Sequence, residues 1–484
     1  MNQQSMPIVE ALQQHVKTQP VSFHVPGHKN GIAVTSDWHD MFESVFPYDQ
    51  TELHHLDDLH DPDGIIAQAQ RLAAEAYNAL YTLFLVGGSS AGNMAMILSA
   101  FERGETVLVQ RDSHKSVINA LRLAGIKPVF LLPDYDNSTQ LSRGLSLSTV
   151  KKALNMYPEV KGIILTSPTY YGWASDLTPI IQLFRRKGAY VLVDEAHGAH
   201  FSTSSVFPVS ALDQGADAVV QSAHKTLPAL TMGAFLHAGK ESKLSHQRLQ
   251  EAASMVQSSS PSYLIMASLD AARRYFYNMK QANDWKIAES IYYVRDKIEK
   301  ETGLSLITPD GMAHDVLKCI VKVPKGYSGW DLQKCLEQQH VFAELADHQH
   351  VLLILPLDAA ALPEGWHKRI KIAVDNMHYQ QRSSKREIEK KTPVFPSAIM
   401  EAEQFSFIHA KQTRILLHEA VGNTAGSDLI PYPPGIPLFL KGEKITSERV
   451  SYLLEWLNNG GHVQGVDYFR GNWYISILKK DEHR

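Results

Sequence analysis

Two polar groups stand at the ends of two apolar segments of the chain. The segment Ala218–Gln221 leads into Ser222-Ala-His-Lys225, and the segment Tyr190–Val193 leads into Asp194. A lysine at the end of a buried strand can be a desolvated amine that forms a Schiff base with an aldehyde. A buried carboxylate can keep a pyridine nitrogen protonated. Lys225 and Asp194 therefore predict a site for pyridoxal phosphate.

Each of these residues alone also has a structural explanation. Asp194 could cap the next helix, and Lys225 could lie on a loop after an edge strand. The two residues occur together, however, and Ser222 and His224 offer a hydroxyl and an imidazole beside the lysine, which suits a phosphate group. The combination favours the coenzyme site over the structural explanations.

A glycine- and serine-rich segment is the candidate for binding the phosphate. Gly87–Asn93 lies between a strand predicted at Thr82–Val86 and a helix predicted to start near Met94. Its glycines let the backbone approach an anion closely, and Ser89 and Ser90 offer hydroxyls. The helix start points free N–H groups at the anion, so the segment predicts a phosphate cradle.

Three further side chains are candidates for cofactor binding. His114 follows the strand predicted at Thr106–Gln110 and could stack on the coenzyme ring. His197 could orient Asp194 or the ring hydroxyl, and Thr169 lies on a loop that we expect to face the same cavity. For His197 and Thr169, a packing role explains the residue as well as a cofactor role does. For His114, the cofactor role is favoured only by the neighbouring motifs.

The elements that must position these residues alternate along the chain. Apolar segments predict strands at residues 82–86, 106–110, 162–165, 190–193, 218–221 and 233–237, with helices between them. Continuous apolar runs separated by helices predict a mostly parallel sheet that is covered on both faces. Ligands of such α/β folds bind at the carboxyl ends of the strands, which is where the candidate residues fall.

The length of 484 residues exceeds what one core organises, so we expect several domains. The predicted parts are an N-terminal segment over 1–64, a coenzyme-binding large domain over 65–280, a small α/β domain over 281–390 and a C-terminal domain over 391–484. A charge run at 382–391 and a proline-stiffened segment at 430–437 fall near or within the last part.

The composition limits the possible partners and compartments. A net charge of −4 is too small to indicate a nucleic-acid partner, and no apolar run approaches the roughly 20 residues of a membrane span. The polar start of the chain does not resemble a signal peptide, so we expect a cytoplasmic location. Two cysteines and the spacing of the histidines fit neither a disulfide framework nor a metal site, and we predict no metal.

An acidic loop precedes the first helix of the predicted large domain. Asp63 is a good candidate for the N-cap of that helix, and the run as a whole could be a solvated loop. Alternatively, Asp57, Asp58 or Asp61 could recognise a cationic substrate or a neighbouring subunit. Acidic residues before a helix are common, which favours the capping interpretation.

The motifs together resemble the Orn/Lys/Arg decarboxylase family of fold-type I pyridoxal-phosphate enzymes, in its shorter bacterial form. The resemblance covers almost the whole chain, and the order of the motifs makes it specific. The matching segments are Phe23–Lys29, Leu56–His60, Gly88–Asn93, His114–Ser116, Pro168–Gly172, Asp194–His197, Ser222–Lys225, Ser260–Tyr263 and Pro431–Pro437.

The resemblance implies roles for individual residues. Lys225 would be the Schiff-base lysine, Asp194 would contact the ring nitrogen, and His114 would stack on the ring. The residues implied in phosphate binding are Ser90, Ala91, Ser222 and His224. The Ser258–Ser260 turn, with Ser259 at its centre, resembles a segment that reaches the cofactor of a partner subunit, which implies a homodimer with shared active sites. Glu344 lies near the position of an acidic residue that could hold a cationic side chain.

The sequence departs from the family in two places. It lacks the N-terminal wing domain of the larger members, so their ring-shaped assemblies are not expected. Asp112 stands where many relatives have Asn, which changes the charge expected near His114.

The expected activity is decarboxylation of arginine, lysine or ornithine to an amine and CO₂, in polyamine biosynthesis. The short form favours arginine, which would give agmatine, by analogy alone. One alternative is another fold-type I reaction such as transamination, which would need an arginine clamp for the α-carboxylate, with Arg414 as the candidate. A second alternative is a non-catalytic regulatory protein that binds pyridoxal phosphate.

Overall fold

The structure, a computed structural model, describes residues 1–35, 37–282, 284–380, 398–401, 411–432 and 435–479. The helices are α1 (Pro7–Lys17), α2 (His39–Phe42), α3 (Ile65–Tyr77), α4 (Gly88–Ala100), α5 (Lys115–Ala124), α6 (Leu147–Met156), α7 (Thr178–Lys187), α8 (Ala223–Thr226), α9 (His246–Met255), α10 (Tyr263–Gln281), α11 (Asp284–Thr302), α12 (Gly329–Glu337), α13 (Trp366–Gln380) and α14 (Ser447–Asn458).

The strands are β1 (Tyr81–Leu85), β2 (Thr106–Gln110), β3 (Lys127–Leu131), β4 (Asp134–Tyr135), β5 (Ser142–Gly144), β6 (Gly162–Thr166), β7 (Trp173–Ala174), β8 (Tyr190–Asp194), β9 (Ala218–Gln221), β10 (Ala234–Ala238), β11 (Ser305–Ile307), β12 (Ala313–His314), β13 (Lys318–Lys322), β14 (Leu345–Ala346), β15 (His350–Ile354), β16 (Ile399–Glu401), β17 (Gln412–Leu416), β18 (Ile430–Pro431), β19 (Val463–Gln464), β20 (Val466–Phe469) and β21 (Asn472–Leu478).

The described residues form two compact units that alternate along the chain. The first unit contains residues 1–102, 161–167 and 176–284, and the second contains residues 103–160, 168–175 and 285–484 with the gaps given above. The predicted four-part division into domains stays a prediction, and its boundary at 390/391 lies outside the described residues.

A mixed sheet organises the first unit. Among the described residues of this unit, its strands follow the order β1-β10-β9-β8-β6, with β9, β8 and β6 parallel and β10 antiparallel to both of its neighbours. Asp194, the last residue of β8, lies opposite Val220 of β9 and Thr166 of β6. The fold class predicted from the sequence, α/β of fold-type I, is confirmed.

Helix α4 packs directly on this sheet because it carries a glycine at the contact. A Cβ atom at Gly92 would lie 2.4 Å from Val220 Cγ2 and 2.7 Å from Leu85 Cδ1. No larger side chain fits there without displacing α4 from the two strands. The close packing brings the following residue, Asn93, to the end of β8.

The described residues of the second unit contain further strand pairings. Within its described residues, β2 and β3 are parallel and β16 runs antiparallel to β3, while β11, β13, β15 and β14 form an antiparallel sheet in that order. Helices α12 and α13 pack on each other, and α12 also packs on β15. A further antiparallel sheet, β17-β21-β20, belongs to the C-terminal part, where Leu453 and Trp456 of α14 join its buried core.

Most strand predictions are confirmed to within one residue, and the segments Ala218–Gln221 and Thr106–Gln110 match the observed bounds. The predicted start of α4 is wrong, because the helix begins at Gly88 rather than near Met94. Packing of Gly92 against the sheet stabilises a helix in a segment whose composition is typical of a loop.

The predicted N-cap of α3 is also wrong. Asp63 does not cap the helix, whose N-cap residue is Gly64 without a side-chain cap. Instead, the Asp57 carboxylate accepts hydrogen bonds from the backbone N–H groups of Asp63, Gly64, Ile66 and Ala67 at 2.8–3.4 Å. The capping interpretation of the acidic loop therefore applies to Asp57.

Candidate active site

Asp194 is a buried carboxylate held by donors from two elements. Its side chain is 3% exposed. Oδ1 accepts a hydrogen bond from the backbone N–H of Ala196 at 3.1 Å, and Oδ2 accepts one from Asn93 Nδ2 at 2.9 Å. Hydrogen bonds to both oxygens fix the orientation of the carboxylate. An oriented, buried carboxylate can accept a hydrogen bond from a protonated heterocyclic nitrogen.

Lys225 lies in the single turn α8, directly after β9. Its Nζ lies 3.0 Å from Nε2 of His197, which belongs to the turn that follows β8. The pair can share one proton, with the imidazole accepting when the lysine is an ammonium. An amine that can lose its proton to a neighbouring base is a candidate nucleophile.

The start of α4 forms a cradle for an anion. Gly88 adopts a φ of +72°, a left-handed conformation that favours glycine, and a Cβ at Gly87 would lie 3.0 Å from the Ala91 Cβ. The N-cap residue Gly87 has no side-chain cap, so the first-turn N–H groups of Ser89 and Ser90 are available to a ligand, and phosphate binding by Ala91 stays a prediction. A helix start with these features binds anions such as phosphate.

The strand end beside Lys225 supplies two further polar groups. Ser222 is fully buried, and its hydroxyl has no hydrogen-bond partner among the described residues. His224 Nδ1 donates to the Gly233 carbonyl at 3.0 Å, and burial lowers its pKa, with Lys225 adding to the shift. A neutral His224 ring therefore presents a lone pair at Nε2, so donation to an anion would require a second proton.

His114 and Thr169 belong to the second unit. His114 is the N-cap of α5, and its Nδ1 accepts from the Ser116 backbone N–H at 3.2 Å. The Thr169 hydroxyl accepts from the Trp173 backbone N–H at 3.2 Å. Asp112 accepts hydrogen bonds from Gln110 and Ser142, and burial raises its pKa. The structure thus shows local structural roles, and the cofactor roles of His114 and Thr169 stay predictions.

Ser259 and its neighbours form an exposed turn in the first unit. The Ser258 carbonyl accepts a hydrogen bond from His60 at 2.8 Å, and the preceding Gln257 side chain accepts one from the Val86 backbone N–H at 2.7 Å. The turn is therefore anchored within its own chain, next to the start of the cradle. Its predicted contact with a partner's cofactor stays a prediction.

Glu344 and Arg414 lie in the second unit. The Tyr170 hydroxyl donates to Glu344 at 2.5 Å, and burial together with the Glu344 charge raises the pKa of Tyr170. Arg414 pairs with Asp467 at 3.2 Å and lies over the Tyr474 ring. The Tyr170 contact orients Glu344. The contacts with Asp467 and Tyr474 already occupy Arg414, the candidate clamp for an α-carboxylate.

Sequence reasoning missed Asn93 as a partner of Asp194. The residue belongs to the glycine-rich segment Gly87–Asn93, whose composition predicts a turn before the helix, so the sequence predicts no direction for its side chain. With the helix starting at Gly88, Asn93 falls in the second turn of α4, beside the close contact at Gly92. An amide directly after a buried helix glycine is the signal that could have identified it.

Among the described residues, one group of possible metal ligands has its ligand atoms within 4.8 Å of one another, and it consists of His39, Asp40 and Glu43. None of these residues belongs to the groups described above. Within the described parts of the chain, no helix is long and apolar enough to cross a membrane.

The residues of the first unit fit pyridoxal phosphate. The buried Ser222 hydroxyl lacks a protein partner in the described chain, and the first turn of α4 is uncapped, as an anion site requires. Asp194 suits a protonated ring nitrogen, and the Lys225 amine suits an aldehyde. The chemistry of these donors and acceptors thus matches both ends of the coenzyme.

Comparisons with known proteins show what the chain is similar to. The family model for the major domain of Orn/Lys/Arg decarboxylases matches residues 6–318, and the model for their C-terminal domain matches residues 384–466. The chain is 43% identical to the Bacillus subtilis protein named Uncharacterized protein YaaO, over 95% of this chain and 96% of that protein. It is 34% identical to the arginine decarboxylase of Bacillus subtilis, over 96% of both chains.

The fold has relatives among solved structures. The lysine decarboxylase LdcF of Francisella novicida superposes with a TM-score of 0.80 at 18% identity, and the match covers 98% of this chain and 81% of that chain. At this identity the likeness shows the fold.

Proposed function

The chain belongs to the Orn/Lys/Arg decarboxylase family, and from this premise we propose that its substrate is arginine, which it converts to agmatine and CO₂. Membership makes it a pyridoxal-phosphate-dependent decarboxylase of a basic amino acid. The observation that carries the choice of arginine is the identity of 34% and 32% to two proteins named arginine decarboxylase over nearly the full chain. A role in polyamine biosynthesis follows from agmatine as the product and is part of the proposal.

Pyridoxal phosphate, when bound, supplies an aldehyde that captures the substrate amine and a protonated ring that accepts the electrons left at Cα. In this proposal the Asp194 carboxylate keeps the ring nitrogen protonated. The Lys225 amine would hold the coenzyme at its aldehyde group. The phosphate would be held by the first-turn N–H groups of α4, by the Ser89 and Ser90 hydroxyls and by Ser222.

His197 moves the proton of the catalytic lysine in this proposal. The 3.0 Å contact between Nε2 and the Lys225 Nζ lets the imidazole take up the proton that the ammonium must lose before the amine can react. The same pair would hold the proton that Cα of the product requires in place of CO₂. Cofactor contacts of His224, His114, Thr169 and Ser259 are drawn from the resemblance and stay predictions.

We also propose that the active form is a homodimer. The N-terminal segment exposes large apolar side chains, including Phe23 at 93%, Val21 and Ile32 at 80% and Met41 at 76%. Clusters of this kind on a folded chain mark interaction surfaces. Sedimentation of the wild type and of Phe23→Asp tests the proposal, because a charge in the interface should shift the protein toward monomer. The cytoplasmic location stays a prediction.

The activity is tested with the purified, coenzyme-loaded chain in separate reactions with arginine, lysine and ornithine. Mass spectrometry should detect agmatine from arginine, whereas Lys225→Ala should give no amine. Lys240→Ala is the matched control, because Lys240 is an exposed lysine after the neighbouring strand β10 and should leave the activity unchanged.

The outcomes separate the levels of the proposal. If cadaverine or putrescine is the main product, the proposed decarboxylase activity is kept, and lysine or ornithine replaces arginine as the proposed substrate. Absence of all three amines, in a protein whose absorbance shows bound coenzyme, would contradict decarboxylation of these substrates and favour another fold-type I reaction or a regulatory role.

A further inference from the structure

A buried polar network lies on the sheet face opposite the coenzyme residues. Successive residues of an extended chain point to opposite faces. Asp194, the last residue of β8, and Glu195, which follows it, therefore face apart, as do Gln221, the last residue of β9, and Ser222, which follows it. Asp194 contacts Asn93 of α4, whereas Glu195 contacts Gln221 on the next strand. Each of the two strand ends therefore carries one coenzyme residue and one network residue in adjacent positions.

The network crosses four neighbouring strands of the first unit. Gln221 Nε2 donates to Glu195 Oε2 at 2.6 Å, and Gln221 Oε1 contacts His237 Nε2 at 3.2 Å. His237 Nδ1 contacts the Thr82 hydroxyl at 2.8 Å. The exposed fraction of each of these side chains is 2% or less, so the bonds form without competition from water.

The chemistry of the partners fixes the direction of every hydrogen bond in the network. Because Gln221 Oε1 can only accept, His237 Nε2 carries the proton, and the neutral ring accepts from Thr82 at Nδ1. Within the described chain, Glu195 also accepts from the Ser210 hydroxyl and the Ala211 backbone N–H, both at 2.7 Å. All donors thus point toward the Glu195 carboxylate, and protonation of Glu195 removes an acceptor that the network needs.

The chain also leaves space for this glutamate. A Cβ atom at Gly198 would lie 2.5 Å from Glu195 Cγ and 3.0 Å from Cδ, although Gly198 has an ordinary backbone conformation. The Gly198 carbonyl lies 3.5 Å from Gln221 Nε2. A side chain at position 198 would displace Glu195 without removing any polar group.

We propose that Glu195 is a positioning residue for the coenzyme, which acts through Gln221 to fix the distance between Asp194 and Ser222. In the proposed site these two residues would contact opposite ends of pyridoxal phosphate, so their spacing must match the length of the coenzyme. The Gln221–Glu195 bond joins β8 and β9 just beyond their last ladder pairs. The inference rests on the coenzyme site and not on the choice of arginine as substrate.

The ionisation state of Glu195 should control this positioning. Burial raises the pKa of Glu195 to about 7, and Asp213 adds to the shift. The other titratable groups that face it are Tyr77, whose pKa is also raised, and His237, whose pKa burial lowers to about 3. His237 therefore stays neutral near pH 7, and the change expected in this range belongs to Glu195.

The test measures the dissociation constant of pyridoxal phosphate from the full-length chain between pH 6 and pH 8.5, after removal of the bound coenzyme. In the wild type the affinity should fall as the pH drops through about 7. Glu195→Gln should bind about tenfold more weakly at pH 8 and should lack this step. Titration of the free coenzyme affects all variants alike and cancels in the comparison.

Two further variants keep the proposal testable if Glu195→Gln does not fold. Ser210→Ala removes a donor to the ionised carboxylate, so its affinity step should move to higher pH. Gly198→Ala should weaken coenzyme binding by displacing Glu195. The control is Glu251→Gln, which changes an exposed glutamate that accepts a hydrogen bond from Gln247 and should match the wild type.

A merely structural role would lower the thermal stability of the variants but would leave the pH of the affinity step unchanged. The proposal is overturned if Ser210→Ala shows the step at the wild-type pH, or if a folded Glu195→Gln keeps the wild-type affinity and pH profile. Because the readout is coenzyme binding, a failure to decarboxylate arginine would not affect the result.

Discussion

Replacement of Ser222 by alanine should change the free and the coenzyme-bound protein in opposite directions. The Ser222 hydroxyl is fully buried and has no hydrogen-bond partner among the described residues. A buried hydroxyl without a partner costs about 1–3 kcal/mol of folding free energy. Its removal should therefore stabilise the protein in the absence of coenzyme, whereas the loss of a phosphate ligand should weaken coenzyme binding.

The expected changes in stability and in coenzyme affinity both result from removing one oxygen atom. The gain in stability of the free protein should be about 1 kcal/mol, since the small cavity left by the oxygen offsets part of the relief. A hydrogen bond to a charged phosphate contributes about 1.5–3 kcal/mol. Its loss should raise the dissociation constant of pyridoxal phosphate about 10- to 100-fold.

Both effects can be measured on the same preparations. The free protein is unfolded with urea, and coenzyme binding is followed by absorbance during a titration with pyridoxal phosphate. Ser99→Ala is the matched control, because Ser99 is a buried serine of α4 whose hydroxyl donates to the Met96 carbonyl at 3.0 Å. This variant should lose about 1 kcal/mol of stability and keep its coenzyme affinity.

The reasoning is refuted if Ser222→Ala is destabilised without coenzyme and binds pyridoxal phosphate as tightly as the wild type. That result would identify the hydroxyl as a structural group of the folded chain. An equal loss of affinity in Ser99→Ala would show instead that any change in this region disturbs the site.

Three other changes have defined outcomes. Asp57→Ala should lower the free energy of unfolding in urea by about 1–2 kcal/mol, because it removes the cap of α3. The control Asp63→Ala should change this free energy by less than about 0.5 kcal/mol. Equal effects of the two variants would contradict the capping assignment. Asn93→Ala should raise the dissociation constant of pyridoxal phosphate about tenfold, because the Asp194 carboxylate loses a donor at 2.9 Å, and an unchanged constant would refute that role. The pKa of Glu195 is raised to about 7, so the folded wild type binds this proton more tightly than the unfolded chain and loses stability as the pH rises from about 4.5 to 7. Glu195→Gln lacks this loss, so its free energy of unfolding in urea, relative to that of the wild type, should rise by up to about 3 kcal/mol between pH 4.5 and pH 8. A difference that does not change with pH would contradict the buried charge.

The strands and the coenzyme residues at their ends could be predicted from the sequence because the signals are local. β8 and β9 are continuous apolar runs, and each is followed at once by a polar motif. In an α/β fold this order alone places Asp194 and Ser222 at the same edge of the sheet. No contact between distant segments is needed for the inference.

The start of α4 and the cap of α3 could not be predicted in this way. A helix through Gly92 depends on its contact with Val220, which lies more than a hundred residues further along the chain. The cap depends on Asp57, which reaches N–H groups six to ten residues away through a loop of irregular conformation. Both features result from tertiary contacts that override local propensity.

The buried polar network on the opposite sheet face was not predicted from the sequence for a different reason. In the motifs Asp194–His197 and Ser222–Lys225 the sequence predicts a coenzyme role only for Asp194, His197, Ser222, His224 and Lys225, and it assigns no role to Glu195. A strand directs only alternate residues to one face. Glu195 and Gln221 therefore had to face the other side of the sheet, where a carboxylate and an amide need partners of their own. Gln221 donates to Glu195 at 2.6 Å because Gln221 ends β9 and Glu195 directly follows the neighbouring strand β8. The role of a residue at a strand end should thus be predicted from the sheet face on which its side chain lies. Residues on the face opposite the coenzyme are candidates for positioning the coenzyme residues beside them.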